Sequence, residues 1–342
     1  MAKIIKFEDP KNNFGDCVNE LTSLCKEDLA SINTVILDKL DSPIPLIKEI
    51  TSYLINSGGK RLRPLFTCSS YEICKSDKSK SNYHIDLAAA VEFIHAATLM
   101  HDDVVDESMK RRGQLTANEV WGNKTSVLVG DFLFSRAFQL MAKSESNKIL
   151  KILSDTSVTI AEGEILEISN DKDPTINEDI YFDIINAKTA SLFSAACQVG
   201  AIATKTSNEK IEALKTFGLN FGMSFQLIDD AIDYSSSSYY LGKNIGDDFK
   251  QGKVTLPVIL AYLRSNNKEK NYWKRTMQDL NQKEDDFKKA LKIIDKYNCI
   301  EDTIKRAKHF ADIAIDSLGI FNDTTYKKIL INLTDSSLKR LF

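Results

Sequence analysis

Two mostly apolar stretches of this chain each end in three aspartates with the same spacing. The stretch that begins at Leu87 ends in D-D-V-V-D at 102–106, and the stretch that begins at Leu219 ends in D-D-A-I-D at 229–233. On a helix, the first and last aspartate of each D-D-x-x-D motif lie one turn apart and point the same way. A buried helix that ends in three carboxylates needs cations to offset their desolvation and mutual repulsion.

The spacing and chemistry of these aspartates predict a magnesium site. Oxygen-only ligands favour Mg²⁺ over zinc, and Mg²⁺ usually binds through a few carboxylates together with substrate phosphates. One D-D-x-x-D motif is weak support, because acidic residues on a helix usually form a solvated face. Two copies that both close apolar helices favour a metal site. The pair therefore predicts one phosphate-bearing substrate held from both sides.

The remaining sequence predicts an all-α protein. Apolar residues recur at spacings of three and four, no proline occurs between Pro64 and Pro174, and the period-2 alternation of strands is absent. No segment is long or biased enough to be an interdomain linker. The two aspartate motifs must also share a cavity. We therefore expect one helical domain over residues 1–342, without β-strands.

Bulk properties exclude several classes of function. The chain is 43% hydrophobic and 27% charged, as an ordinary globular protein is, and its net charge of −3 gives no electrostatic case for binding nucleic acid. The N-terminus lacks a signal-peptide h-region, and no apolar run reaches the length of a membrane span. The six cysteines have no C-x-x-C pairing, which fits the reducing cytoplasm and argues against a zinc site.

Basic motifs elsewhere in the chain supply cations for phosphates. The segment 58–64 reads G-G-K-R-L-R-P, which lacks the spacing of a P-loop, and two arginines at 111–112 follow the first aspartate motif. These arginines either neutralise the aspartates or bind phosphate in the bidentate mode. A Lys-Thr pair stands at 188–189, and glycine–lysine pairs at 242–243 and 252–253 favour a lid over phosphates. Each motif alone is also typical of an ordinary protein surface.

Taken in order, these motifs resemble those of the trans-isoprenyl diphosphate synthases. The match comprises G-G-K-R-L-R-P, D-D-V-V-D-x4-R-R-G, K-T, F-Q-L-I-D-D-A-I-D and G-K-x-x-G-D-D-F-x-x-G-K-V-T-L-P, over roughly residues 50–260. The resemblance implies a homodimeric, all-α bundle of the isoprenoid synthase type with a central substrate cavity. It also implies an enzyme, a trans-prenyltransferase, that uses three Mg²⁺ ions per active site to join isopentenyl diphosphate to an allylic diphosphate.

The resemblance further implies a role for individual residues. The residues that would hold isopentenyl diphosphate are Lys60, Arg63, His95 and Arg112. The residues that would contact the allylic diphosphate are Arg111, Lys188, Thr189, Gln226 and Lys243. The Mg²⁺ ligands would be Asp102, Asp106 and Asp229, and the catalytic set would add Asp103, Asp230, Asp233, Arg111 and Lys188. For His95 a buried core histidine is the ordinary alternative, and only its place in E-F-I-H-A-A-T-L-M-H-D-D favours a substrate role.

The residues just before the first D-D-x-x-D motif partly predict the length of the product. Ala97 and Thr98 lie about one turn before Asp102, where short-chain members of the family have an aromatic floor. Small side chains there predict that the growing tail passes this level. The likeness is greatest to octaprenyl or decaprenyl synthases of quinone (ubiquinone) side-chain pathways, whose product would leave through peripheral contact with a membrane. The C-terminal residues 338–342 match the family poorly and receive no role.

Other functions remain open at this point. A shorter-chain geranylgeranyl or farnesyl diphosphate synthase would share all of these motifs. A noncatalytic subunit of a heteromeric prenyl synthase would share the fold, although such subunits typically degrade one aspartate motif and both are intact here. A class I terpene cyclase would not need G-G-K-R-L-R, and a His-Asp phosphohydrolase would leave the second aspartate motif unexplained.

Overall fold

The computed structural model describes residues 13–56, 58–76, 82–235 and 245–341. Regular structure in these residues is almost entirely helical, which confirms the predicted all-α class. The α-helices are α1 (Phe14–Leu24), α2 (Lys26–Leu40), α3 (Pro45–Asn56), α4 (Leu62–Cys74), α5 (Tyr83–Val105), α6 (Ala117–Trp121), α7 (Asn123–Lys143), α8 (Asn147–Ser169), α9 (Glu178–Ile185), α10 (Ser191–Ala203), α11 (Asn208–Asp233), α12 (Asp247–Gln251), α13 (Leu256–Arg264), α14 (Asn267–Trp273), α15 (Asp286–Lys296), α16 (Cys299–Ser317) and α17 (Thr325–Leu338).

The expectation that strands are absent is wrong at one place. Lys110–Arg111 (β1) and Gln114–Leu115 (β2) pair as an antiparallel hairpin directly after the first aspartate motif. The two turn residues, Arg112 and Gly113, have φ angles of 52° and 79°. Positive φ at both positions is the geometry that matches the twist of a two-residue hairpin. A pair of two-residue strands is too short to show period-2 alternation, so sequence periodicity could not reveal it.

The core consists of two clusters of buried side chains that meet along α11. The first cluster includes Phe217 and Phe221 of α11, packed against Phe66 of α4 and Phe193 of α10. The second cluster includes Leu227, which lies nearer the C-terminal end of α11. Shared burial along one helix is in keeping with the predicted single domain, which stays a prediction. Among the described residues, no helix has both the length and the apolar character needed to cross a membrane.

Each aspartate motif lies at the C-terminal end of a long helix. α5 carries the first motif and packs mainly on α7, while α11 carries the second and packs on α10 and α16. The residues before each motif are largely buried, as their apolar sequences predict. The negative end of a helix dipole adds to the repulsion among the carboxylates. The fold therefore builds two sites that require positive charge.

Candidate active site

The three aspartates of the first motif have three different partners. Arg111 donates to Oδ1 of Asp103 from Nε at 2.9 Å and from Nη2 at 2.8 Å. Lys253 donates to Asp106 at 2.7 Å. Asp102 is half-buried, and its pKa is raised to about 8, first by burial and then by the nearby charge of Glu164. A cation beside Asp102 would offset both causes.

The second motif is also engaged residue by residue. Asp229 accepts from Nη2 of Arg340 at 2.6 Å. Asp230 is buried and accepts from the Tyr181 hydroxyl at 2.5 Å and from the Gln226 amide at 2.8 Å. Burial raises the pKa of Asp230 to about 7, against the effect of these two donors. The motif thus combines an ion-paired carboxylate with one held by neutral donors.

Asp233, the last aspartate of the second motif, anchors the start of α12. It accepts hydrogen bonds from the backbone amides of Gly246, Asp247 and Asp248 at 3.0, 3.3 and 3.1 Å. These amides are the free donors at the beginning of a helix. Asp233 therefore fixes the entry to the second glycine–lysine segment, in addition to the catalytic role predicted for it.

Lys188 lies in a π-helical turn, Asn186–Ala190, that precedes α10. Its amino group pairs with Glu164 at 2.7 Å and also with Glu167, both on α8. Burial alone would lower the pKa of Lys188, but the two glutamates raise it above its ordinary value. Single π-turns within helices often occur at functional sites. Neither glutamate belongs to a motif that the sequence revealed, although their spacing of three places both on one helix face.

One cavity is lined by three of the side chains predicted to contact the allylic diphosphate, and Arg111 is not among its lining residues. It has a volume of about 230 Å³, and its wall includes Lys188, Thr189, Gln226, Asp230, Asp248 and Lys253. Gln226 links this set, because its amide donates to Asp230 and its carbonyl accepts from the Thr189 hydroxyl at 3.0 Å. Lys253 belongs to the second glycine–lysine pair and was not among the predicted site residues. Lys243 was among the predicted site residues, but it lies outside the residues that the structure describes.

Three of the residues predicted to bind isopentenyl diphosphate, Arg63, His95 and Arg112, lie near one another at the middle of α5. The fourth, Lys60, lies near Arg340 and Asp229. The Arg63 guanidinium lies 4.4 Å above the Phe193 ring, and burial lowers the pKa of Arg63 to about 10. Burial, followed by the charges of three arginines, holds the pKa of His95 well below its ordinary value. His95 is therefore neutral at neutral pH. Glu92, one turn earlier on α5, is the anion that Arg63 and Arg112 face.

The two arginines of the β1–β2 hairpin contact different parts of the protein. Arg111 reaches the first aspartate motif, whereas Arg112 donates from Nη1 to the Gly58 carbonyl in the G-G-K-R loop. A Cβ at the neighbouring Gly59 would lie 2.8 Å from Arg112 Nη1, so a larger residue there would displace the flexible guanidinium from this contact. The structure thus separates two adjacent residues that sequence reasoning had assigned to two substrates.

The C-terminal end of the described chain reaches the second aspartate motif, and the N-terminal end packs beside it. Arg340 follows α17 and pairs with Asp229, in a segment to which the sequence assigned no role. Phe14, the first residue of α1, lies under Lys60 with 4.5 Å between the amino nitrogen and the ring centroid. A weak match to the family in the C-terminal segment does not indicate which part of the fold the side chains of that segment contact.

The side chains at the aspartate motifs fit Mg²⁺. The candidate ligands Asp102, Asp106 and Asp229 offer only carboxylate oxygens, and burial raises the pKa of Asp229 as it does that of Asp102. In the part of the chain that the structure describes, no three His, Cys, Asp or Glu side chains converge as a ready-made ligand set. Mg²⁺ commonly takes one or two carboxylates and completes its shell with water and substrate phosphates.

The two positions predicted to control product length differ in exposure. Ala97 is fully buried, whereas Thr98 is half-buried and donates its hydroxyl to the His95 carbonyl at 2.9 Å. Thr98 is therefore the better placed of the two to meet a ligand. His101 points towards α7, where its ring nitrogen lies 3.1 Å from the Val127 carbonyl. Gly130 makes room for that ring, since a Cβ there would lie 2.2 Å from it.

Comparison with known proteins places the chain in a family. Residues 44–294 match the model of the family described as Polyprenyl synthetase. The chain is 40% identical over 323 residues to octaprenyl diphosphate synthase of Escherichia coli (strain K12), which covers 94% of this chain and 98% of that protein. The chain therefore belongs to the polyprenyl synthetase family, and it is a trans-prenyltransferase that makes polyprenyl diphosphates.

Solved structures agree with this assignment. A polyprenyl synthase from Caulobacter crescentus CB15, complexed with calcium and isoprenyl diphosphate, superposes with a TM-score of 0.89 at 42% identity and covers 97% of this chain and 99% of its own. A decaprenyl diphosphate synthase from Rhodobacter capsulatus gives 0.91 at 39% identity, with coverages of 95% and 99%. These matches confirm the family resemblance and the isoprenoid synthase fold inferred from the motifs.

Proposed function

We propose that the protein condenses isopentenyl diphosphate with an allylic diphosphate in a Mg²⁺-dependent reaction that yields a long all-trans product, of octaprenyl length. The observation that carries this proposal is the position of Lys253, which lines one cavity together with Lys188 and with Asp230 of the second motif. The same lysine pairs with Asp106, at the end of the first aspartate helix. Carboxylates alternate there with lysines, so the site can accept a metal and a diphosphate together.

The allylic diphosphate would lie between the two aspartate motifs. Lys188 and Lys253 already carry a full positive charge next to carboxylates, because those acids raise both pKa values. They can transfer their hydrogen bonds to phosphate without any change of protonation. Thr189 and Gln226 would add neutral donors, while Arg111 and Lys243, the latter outside the described residues, would complete the set by family likeness.

Asp102, Asp106 and Asp229 would hold Mg²⁺, with three ions per active site. When bound, Mg²⁺ supplies positive charge that stabilises departing pyrophosphate. Arg111 fixes Asp103 beside these ligands through two donors to one oxygen. No nucleophilic side chain is required, because the allylic carbon loses its pyrophosphate and the isopentenyl double bond attacks the resulting cation.

Isopentenyl diphosphate would bind on the other side, against the cationic group of α4, α5 and the hairpin. Arg63 and Arg112 can grip its diphosphate, and neutral His95 can donate one hydrogen bond without adding charge. The proton lost after carbon–carbon bond formation would pass to the pyrophosphate. The apolar packing of the first core cluster would keep water from the allylic cation.

The proposed function is tested by removing one carboxylate charge from each motif. Asp102→Asn and Asp229→Asn should each lower turnover of isopentenyl diphosphate by about 10²–10⁴-fold, because charge stabilisation in the transition state is lost. The matched control is Asp312→Asn, an exposed aspartate on α16 that pairs with Lys308 at the surface, which should keep normal turnover. Near-normal activity of either motif variant, with Mg²⁺ present, would refute the proposal.

A long product is supported by the relatives and by the first turn beneath Asp102. The chain's similarity to an octaprenyl synthase and a decaprenyl synthase favours a tail beyond geranylgeranyl length. Ala97 and Thr98 leave no aromatic ring at the level where a short-chain floor would stand. A quinone side chain is the use we infer for such a product.

We infer that the protein is a homodimer joined through the outer faces of α7 and α8. Leu128 of α7 and Val158, Ile165 and Ile168 of α8 are exposed by 67%, 56%, 63% and 50%. Apolar side chains grouped on one surface commonly mark an interface. Light scattering should give a dimer for wild type and a monomer for Ile165→Glu, whereas Ile320→Glu, at an exposed site elsewhere, should stay dimeric. A monomeric wild type would contradict the inference.

A cytoplasmic location is supported by the cysteines. All six are buried free thiols, which persist in a reducing compartment. A product with a long hydrocarbon tail has little solubility in water, so we propose that release involves peripheral contact with a membrane. Flotation of the protein with liposomes, in the presence and absence of substrates, measures that contact. Failure to float under either condition would contradict it.

A further inference from the structure

The N-terminal helix places an aromatic ring on the cationic side of the active site. Phe14 begins α1, and Asn13 caps that helix by accepting from the Asp16 amide at 2.9 Å. The Phe14 ring is only 6% exposed. Its centroid lies 4.5 Å from the amino nitrogen of Lys60 and 5.1 Å from the guanidinium carbon of Arg340. One ring therefore contacts two cations from distant parts of the chain.

The second of these cations is enclosed by two rings. The Arg340 guanidinium carbon also lies 4.6 Å from the centroid of Phe225, and the two ring centroids are 5.9 Å apart with a 42° angle between their planes. From this position Arg340 reaches Asp229 at 2.6 Å. Phe14 thus helps to hold a guanidinium over a carboxylate that we assign to Mg²⁺.

The electrostatics explain why an aromatic residue is useful at this position. Lys60 and Arg340 repel each other: burial first, and then the charge of Arg340, lower the pKa of Lys60, while Asp229 raises it. The face of an aromatic ring is negative and attracts both cations. An aliphatic side chain would fill the same space without that attraction. The ring therefore lowers the cost of keeping two cations together before a diphosphate arrives.

We propose that Phe14 is a positioning residue for isopentenyl diphosphate, whose ring holds Lys60 and Arg340 in the orientation in which both can donate to the diphosphate. This inference rests on the proposed function of Lys60. Both Phe14 and Arg340 lie outside residues 44–294, the part of the chain that the family model matches. The two chain ends would then complete a substrate site whose other residues belong to the family motifs.

Substitutions that keep volume but change the ring test this role. Phe14→Leu should raise the KM and the calorimetric Kd for isopentenyl diphosphate by about fivefold to thirtyfold, the range that cation–π attraction accounts for. The kcat and the KM for the allylic substrate should change less than the KM for isopentenyl diphosphate, since Phe14 reaches Asp229 only through Arg340. Phe14→Tyr, which retains the ring, should behave as wild type. Phe14→Met gives a second ring-free variant if the leucine variant does not fold.

The matched control is Val18→Ala, at a buried residue one turn further along the same helix. It should lower the melting temperature and leave the KM for isopentenyl diphosphate unchanged. Three results would overturn the inference: an unchanged KM and Kd in folded Phe14→Leu or Phe14→Met, equal losses in the tyrosine and leucine variants, or the same loss in Val18→Ala. Wild type that fails to consume isopentenyl diphosphate would instead refute the proposed function.

Discussion

The amino nitrogen of Lys253 lies 2.7 Å from Oδ2 of Asp106, although 147 positions separate the two residues. Both side chains are partly buried, with 29% and 24% of their surface exposed. The ion pair connects the first aspartate motif to the segment that follows the second. It places a positive charge between two acidic clusters, at the edge of the cavity where the allylic diphosphate is expected.

Removal of the Lys253 charge should weaken use of the allylic substrate. We expect Lys253→Ala to lower kcat/KM for that substrate by about 10²-fold or more, because an interaction with the departing pyrophosphate is lost. Lys250→Ala is the matched control, since Lys250 is exposed on the neighbouring turn and pairs with Asp247 at the surface. Steady-state kinetics that give equal values for both variants would remove Lys253 from the site.

The two diphosphate sites should respond separately to loss of their cations. Arg112→Ala should mainly raise the KM for isopentenyl diphosphate, and Lys188→Ala should mainly impair use of the allylic substrate. The expected loss is about tenfold to a hundredfold in each case, as for a charged hydrogen bond to phosphate. Initial rates with each substrate varied in turn decide the point. The reverse pattern would show that the roles are assigned to the wrong substrates.

Product length should shorten when a large side chain replaces Thr98. Close-packed interiors leave no room for a tail to pass an added ring, and overpacking costs about 1–3 kcal/mol. Thr98→Phe should therefore move the products towards farnesyl or geranylgeranyl length, and Ala97→Phe should do the same if its more buried site accommodates the ring. Thr98→Val preserves the volume and should leave the products unchanged. Full-length product from Thr98→Phe, seen by chromatography, would place the tail elsewhere.

The raised pKa of Asp102 predicts a stability effect without metal. Between its ordinary value of 3.8 and about 8, the folded protein keeps a proton that the unfolded chain releases, so stability falls as pH rises through this window. Asp102→Asn lacks this proton linkage. In EDTA its melting temperature should exceed that of wild type by a few degrees at pH 8, and the difference should shrink towards pH 4. A difference that does not change with pH would mean that the pKa is not raised.

Sequence patterns predicted the parts of the site that lie on regular helices. The D-D-x-x-D motifs end α5 and α11 as expected, because apolar periodicity reveals a buried helix and three aspartates show where it meets a cavity. The π-turn that carries Lys188 before α10 was not indicated by the sequence. Local patterns do not report a change in hydrogen-bond register within a helix.

Sequence patterns did not predict the contacts that depend on tertiary structure. The partners Glu164 and Glu167 lie on a helix that looks like an ordinary amphipathic surface helix, and Arg340 lies 111 positions after Asp229. Nothing local to the C-terminus indicates which carboxylate its arginine reaches. The hairpin that separates Arg111 from Arg112 was missed because its strands have two residues each.

The most direct test of the whole account is the product that wild type makes from labelled isopentenyl diphosphate and farnesyl diphosphate with Mg²⁺. We predict that resolved products are polyprenyl diphosphates of about eight isoprene units, that no product forms when either substrate is omitted, and that EDTA abolishes the reaction. Release of pyrophosphate without chain extension would contradict the account, because the isopentenyl side of the site would then have no function. Extension that stops at farnesyl or geranylgeranyl length would contradict its long-chain conclusion.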